Sequence, residues 1–301
     1  KWIRSNVAEN INTPPDVLAQ LATDQDENVR TNVARNPNTL PDVLAQLVSD
    51  EYCEVLYYVA QNPNTPSRVF VQPPNDGDFL GGFAINPNTS SDVLAKLATD
   101  KNGWVRRHVA KNTNSPADVL AQLATDKNEW VRSMVAGNTN TPADLLAKLA
   151  TDKDILVQSY VAGNTNSPAD VLAKLATDKD AWVRSKVAKN PNTPPDVFAQ
   201  LAMDNEAVQG SVAENPCTPH DVLIKLATDI QSSAYVRSNV AGNPSTPLDV
   251  LSQLALDRCE EIRYSVAKNL NTPPNILARF ALDKKEWWVR WAVTQNPNTP
   301  S

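Results

Sequence analysis

The sequence predicts an all-α solenoid built from tandem two-helix repeats of about 26 residues. Three observations lead there. An apolar anchor opening the pattern V-R-x-x-V-A-x-N recurs twelve times, at Ile3, Val29, Val55, Phe79, Val105, Val131, Val157, Val183, Val208, Val236, Ile262 and Val289. An Asn closes the first segment of every copy, and a Ser or Thr opens the second. The spacings run from 24 to 28 residues, so length varies in a loop while two elements stay fixed. Residues 1–301 therefore read as one solenoid of about eleven full repeats and a partial C-terminal one.

The first element is illustrated by Trp130-Val131-Arg132-Ser133-Met134-Val135-Ala136, in which Val131 and Val135 lie four apart and face the core with Ala136. An Asp stands five or six residues before the Arg, as Asp126 does before Arg132. Asp152 and Asp204 persist where that Arg has become Gln158 and Gln209, so the Asp is assigned to capping the first element. The closing Asn residues are Asn10, Asn36, Asn62, Asn86, Asn112, Asn138, Asn164, Asn190, Asn215, Asn243, Asn269 and Asn296. A Pro follows seven of them and favours an extended backbone there. The row is read as a structural ladder whose amides satisfy turn carbonyls and N–H groups from repeat to repeat. A ligand-binding row of Asn is the alternative.

The second element is the clearer helix. In Thr141-Pro142-Ala143-Asp144-Leu145-Leu146-Ala147-Lys148-Leu149-Ala150, Thr141 is expected as N-cap, Pro142 at the first helical position and Asp144 at the third. Leu145, Leu146 and Leu149 form the apolar stripe, Ala147 and Ala150 admit close neighbours, and Lys148 lies on a solvated flank.

The run Val-Arg-x-x-Val-Ala-x-Asn-Pro-x-Thr-Pro-x-Asp-Val-Leu-Ala-x-Leu-Ala-x-Asp resembles the leucine-rich repeat variant family of bacteria, over essentially the whole chain. The resemblance implies a right-handed superhelix of alternating α and 3₁₀ helices without a β-sheet, the 3₁₀ element being assigned to the shorter first segment. Related proteins carry an iron–sulfur cluster held by clustered cysteines. Cys53, Cys217 and Cys259 are scattered, so no cofactor is carried over. The family implies no general activity, which leaves function to the surface.

Two slots after the anchor vary most between repeats. They supply the candidate partner-binding residues Tyr57, Tyr58, Arg107, His108, Met134, Tyr160, Lys186, Tyr264 and Trp291. Charge sorts by face as well. The chain carries a net charge of -6, yet the first elements hold 14 basic residues against Glu9 and Glu214. Arg106, Arg132, Arg184, Arg237, Arg263 and Arg290 are the core of a candidate anion stripe, and pairing with nearby loop acids is the competing reading. All seven Trp sit at the start of first elements, where they either cover the seam between repeats or stack on bases.

Two places are irregular. Over 55–82, Arg68 replaces the helix Asp, Pro73-Pro74 interrupts the second helix, and Gly81-Gly82 weakens the next first helix, which together predict a joint. Over 208–235, Ile230-Gln231-Ser232-Ser233 is expected to lengthen a loop. Catalytic constellations are missing: there are two His, and Cys217 with His220 falls far short of a zinc site. With 41% apolar residues and no run long enough to span a membrane, the composition excludes a disordered or transmembrane chain. Three scattered cysteines and no visible signal peptide favour a reducing, cytoplasmic setting, and the start at Lys1 suggests a trimmed chain. Ends that fall mid-repeat raise end-to-end self-association. The expectation is a non-enzymatic scaffold for a protein or peptide on the first-element face. Nucleic-acid or polyanion binding by the Arg stripe with Trp is the alternative.

Overall fold

The computed structural model describes residues 2–66, 69, 77–282 and 286–300, with 77–79 described by backbone alone. Among these residues there are 22 α-helices and no strand. They form two compact parts, Lys1–Leu149 and Ala150–Ser301. In each, first helices stack on the first helices of neighbouring repeats, and second helices line the flank.

The first element is longer than expected. It is a nine-residue α-helix, as in Glu129–Gly137 or Ala181–Lys189, while the second is usually seven residues, as in Ala143–Leu149. The 3₁₀ assignment to the first segment is therefore corrected. Its side-chain cap provides the reason: Asp26, Asn128, Asp154 and Asp180 each accept from the backbone N–H two residues on, which launches a full α-helix. The Asp singled out from sequence sits two residues earlier. Asp24, Asp126, Asp152 and Asp178 accept the N–H of Asp26, Asn128, Asp154 and Asp180, fixing the turn that delivers the cap.

The second helix starts one residue later than its cap signature suggests. Pro116, Pro168 and Pro194 occupy the N-cap position with no side-chain cap bond. The preceding Ser or Thr turns inward instead. Thr141 Oγ1 donates to the Val135 carbonyl at 2.5 Å, and the same bond recurs from Thr39 to Val33, Ser167 to Val161 and Thr272 to Val266. The last carbonyls of a helix lack intrahelical donors, and here a hydroxyl from the following turn supplies one. The residue thus staples the two helices of a repeat together.

The core repeats with the anchors. Val131, Val135, Ala136 and Leu146 are fully buried, and so in the second part are Val183, Val187 and Ala188, with Phe198 at 1% exposure. Each such Val or Leu contributes about 1.5–3 kcal/mol through burial. Between repeats, the Asn ladder carries the polar contacts. Asn138 Nδ2 donates to the carbonyls of Ala110 and Asn112 at 2.8 and 2.9 Å, while its Oδ1 accepts from Asn140 N–H. The pattern recurs from Asn36, Asn62, Asn86 and Asn112 in the first part, and from Asn190, Asn215, Asn243 and Asn269 in the second. Asn164 is buried as well and accepts from Asn166 N–H. A second, exposed ladder runs beside it, with Asn38 bonding the Ile11 carbonyl and Asn271 that of Pro244.

The irregular places resolve differently. Arg68, Phe70, Gln72 and Pro73-Pro74 lie outside the described residues. The ladder runs on past them, since Asn86 bonds the carbonyls of Ala60 and Asn62. Gly81 and Gly82, expected to weaken their helix, are positions of close approach. A Cβ at Gly81 would stand 1.6 Å from the Trp104 ring, and one at Gly82 would stand 2.6 Å from Ala60 Cβ. Neither glycine has positive φ, so space and not backbone freedom calls for them. Near 208–235 the extra residues go into the second helix, His220–Thr228, which is two residues longer than most. A turn follows it, with Ile230 almost fully exposed.

Candidate binding face on the first helices

Where the first helices stack, each variable slot meets a particular neighbour. The slot two after the anchor faces the slot three after the next anchor: Ser5 accepts from Asn32, and Ser185 and Ser238 bond Ser211 and Ser265. Much of the variation is therefore absorbed between helices. Ser133 and Ser159 are buried, and Met134, a candidate for partner contact, is only 8% exposed and is withdrawn from that role. Tyr57, Tyr58, Arg107, His108, Lys186 and Tyr264 are half-buried, whereas Tyr160 and Trp291 are exposed.

The same slot also meets the ring that precedes the next anchor, and its identity sets what the ring does. Opposite Gly81, Trp104 lies down on the backbone and reaches Tyr57, with centroids 6.4 Å apart. Opposite Gly210, the Tyr235 ring does the same. Opposite Arg107, the Trp130 ring carries the guanidinium 5.4 Å from its centroid. Before Trp288 the slot holds Tyr264, whose own ring carries the Lys268 ammonium 5.5 Å from its centroid. Here lies a cleft of about 480 Å³ lined by Glu261, Tyr264, Trp287, Trp288 and Trp291. The sequence singles out Tyr264 and Trp291 as partner-binding and places Trp287 and Trp288 among the seven Trp at the start of first elements, but gives no sign of Glu261. The missed signal was an aromatic slot facing an aromatic slot in the next repeat.

The anion stripe is corrected for most of its members. Arg106 Nε and Nη2 clasp Asp126 at 2.5 and 2.9 Å, and Nη1 donates to the Asp100 carbonyl. Arg30 holds Asp50, Arg184 holds Asp204, Arg237 pairs with Asp257, and Arg263 with Glu286. In each case the acid belongs to the turn entering the next repeat. Arg132 is buried and donates to the Asp126 carbonyl. Arg290, also named for the stripe, is half-buried and has an interaction partner of its own. The forked geometry saturates the guanidinium and ties consecutive turns together. At Asp204 the Arg184 hydrogen bond leads in holding the carboxyl below its usual range. At Asp126 burial alone pushes it up, and the bonds from Arg106 and Asn128 N–H outweigh that. These acids stay ionised and paired, so the stripe offers little unspent charge to a phosphate backbone.

His108 packs edge-on against Trp104, with centroids 4.3 Å apart, and neither ring nitrogen finds a partner among the described residues. Burial first, then Arg107 and Lys111, pulls its pKa down to about 4. Cys217 is exposed, and among the described residues no group of three or more His, Cys, Asp or Glu could hold a metal. No helix among them is long and apolar enough to cross a membrane.

No family model and no curated protein matches the chain. Among solved structures it is similar to "a leucine-rich repeat variant with a novel repetitive protein structural motif", at 23% identity and a TM-score of 0.51, over 73% of this chain and 86% of that one. It is also similar to an engineered protein (18% identity, TM-score 0.30, over 97% of this chain and 92% of that one). A third match is to the Escherichia coli protein YibA (15% identity, TM-score 0.37, over 88% and 94%). The last two scores are too low to bear on the fold. Paired helices, the repeat length and the first of these likenesses agree: the chain has the fold of a leucine-rich repeat variant.

Proposed function

We propose that the chain is a non-enzymatic scaffold that binds a protein or peptide along its first-helix face. The observation that carries this reading is the exposure of large rings at one phase of the repeat. Trp130 is 47% exposed and Trp182 43%, although Trp ordinarily buries most of its area. Exposed Trp on a rigid helical support is the composition of an interaction hot spot. The Arg pairs remove much of the competing polyanion reading, because counterion release needs unpaired cations. Three free cysteines suit a reducing cytoplasm, and a bacterial source goes with the family resemblance.

The test is selection of a displayed random-peptide library on the purified chain, with mixed-sequence DNA titrated at low salt in parallel. Enriched peptides should lose at least about tenfold in affinity on Trp130→Ser or Trp182→Ser, as expected for hot spots. No enrichment, together with salt-sensitive DNA binding, would replace this reading with the polyanion one.

A further inference from the structure

Along the stacked first helices, rings repeatedly meet cations from their own chain. Arg107 lies over Trp130, Arg35 over Tyr58, Arg30 over Tyr52, and Lys268 over Tyr264. The negative face of each ring makes it a cation seat, and Trp is the strongest of them. One seat differs. Where Arg107 would stand, the later repeat has Tyr264, so Trp288 meets an aromatic neighbour in place of a cation.

The space left open is walled by three Trp and a Tyr. Trp287 and Trp288 are tilted at 40° with centroids 5.9 Å apart, and Trp291 stands one turn on. The remaining wall is Glu261, whose carboxylate accepts the Cys259 thiol at 2.6 Å. The neighbouring Arg263 hydrogen-bonds Glu286 and reaches Glu261 only through its charge, so the exposed Glu261 carboxylate stands ionised at the rim of the cleft. Three indoles and a phenol beside a carboxylate, the lining among the described residues, match a large, weakly hydrated cation. They do not match a neutral apolar group, which has no use for the charge, or an anion, which the carboxylate repels.

We propose that the cleft between Glu260–Lys268 and Trp287–Gln295 binds a methylated ammonium group, with Trp288 and Trp287 as cation seats and Glu261 as counter-charge. A quaternary ammonium fits because its methyl groups shed water at low cost while keeping the positive charge. At about 480 Å³ the cleft takes the whole head group and part of whatever bears it. This site stands whether or not the rest of the face holds a peptide, so its test is separate from the scaffold's.

The experiment is calorimetric titration of the full chain with choline, with a short peptide carrying trimethyl-lysine, and with 3,3-dimethylbutanol, the neutral isostere of choline. Choline and the peptide should bind, with the neutral isostere at least about tenfold weaker. Trp288→Leu, which keeps an apolar side chain, should weaken choline by about tenfold, and Glu261→Gln by a few-fold. Ile230→Ala, on an exposed turn outside the cleft, should leave it unchanged, and circular dichroism checks that each variant is folded. A tighter peptide assigns the ammonium to a modified protein, and equal affinities assign it to a free head group. Equal binding of the neutral isostere, no saturable binding of any quaternary ammonium, or choline binding that survives Trp288→Leu overturns the site.

Discussion

Asn138 shows what one side chain does for the fold. Its amide is buried and fully engaged, giving two hydrogens to the preceding repeat and taking one from its own turn. Asn138→Ala leaves two carbonyls and one N–H without these partners and should cost about 1–3 kcal/mol. Asn140→Ala, in the exposed outer ladder, should cost less than half as much, because water replaces its bond. Urea unfolding of the two variants measures the difference, and equal losses would count against the ladder as a stabilising device. His108 makes a pH-dependent contribution. It is held neutral in the fold with a pKa of about 4, whereas in the unfolded chain it takes a proton near 6.5. The unfolded state therefore binds more protons between those values, and stability falls as pH drops from 6.5 towards 4. The expected loss by pH 4.5 is about 2–3 kcal/mol, absent in His108→Phe. The paired Asp residues act in the opposite window. Their lowered values in Asp126 and Asp204 release stability only below about pH 4, which separates the two effects.

At the scale of the helix, Gly77–Ile85 is where close packing is most demanding. Gly82→Ala forces a Cβ to within 2.9 Å of the Tyr57 carbonyl oxygen, a backbone atom that cannot swing away. Gly81→Ala meets only the Trp104 ring, which can rotate outward at the loss of its Tyr57 contact. Gly82→Ala should thus cost about 1–3 kcal/mol and exceed Gly81→Ala, with thermal unfolding as the measurement. Gly81→Ala should instead shift indole fluorescence as Trp104 moves into water. Both helices of the repeat were legible in sequence, because Val131, Val135, Leu146 and Leu149 keep helical spacing and Asn138 recurs without exception. The Asp–Arg relation was not. Within its own repeat Asp204 faces Gln209, five residues on, while its true partner, Arg184, lies 20 residues back in the previous repeat. The Thr hydroxyls misled for a related reason. Thr141 with Pro142 and Asp144 carries every mark of a cap, yet an orphan carbonyl at Val135 competes for the same hydroxyl and wins. The aromatic cleft stayed hidden because it depends on which slot of one repeat faces which slot of the next, a register that no single repeat displays.

At the scale of the molecule, every bond described links a repeat to itself or to an adjacent one, with Tyr57 and Trp104 the exception that spans one repeat. Stability is then a sum over local terms, and each part should survive without the other. A fragment comprising 150–301 should keep the mean residue ellipticity of the full chain and unfold cooperatively in urea; a disordered fragment would show that long-range support has been overlooked. The chain's charge follows the same local logic. A net charge of -6 coexists with many basic first helices because the arginines are consumed by the turns they connect, one repeat at a time.

The Asn ladder has a direction. Within each part, an amide always gives its hydrogens to the repeat made earlier, and a repeat's own carbonyls wait for the one made later. A chain leaving the ribosome amino end first therefore presents a finished acceptor surface to each newcomer, which locks on with a single side chain. Growth by one more repeat at the carboxyl end meets carbonyls, and an Arg that pairs with the newcomer's turn acid, which the existing protein already displays. Where a newcomer's large ring lies down on the preceding helix, as those of Trp104 and Tyr235 do, the repeat before it must answer with a glycine, and addition of near-identical parts otherwise proceeds in one direction.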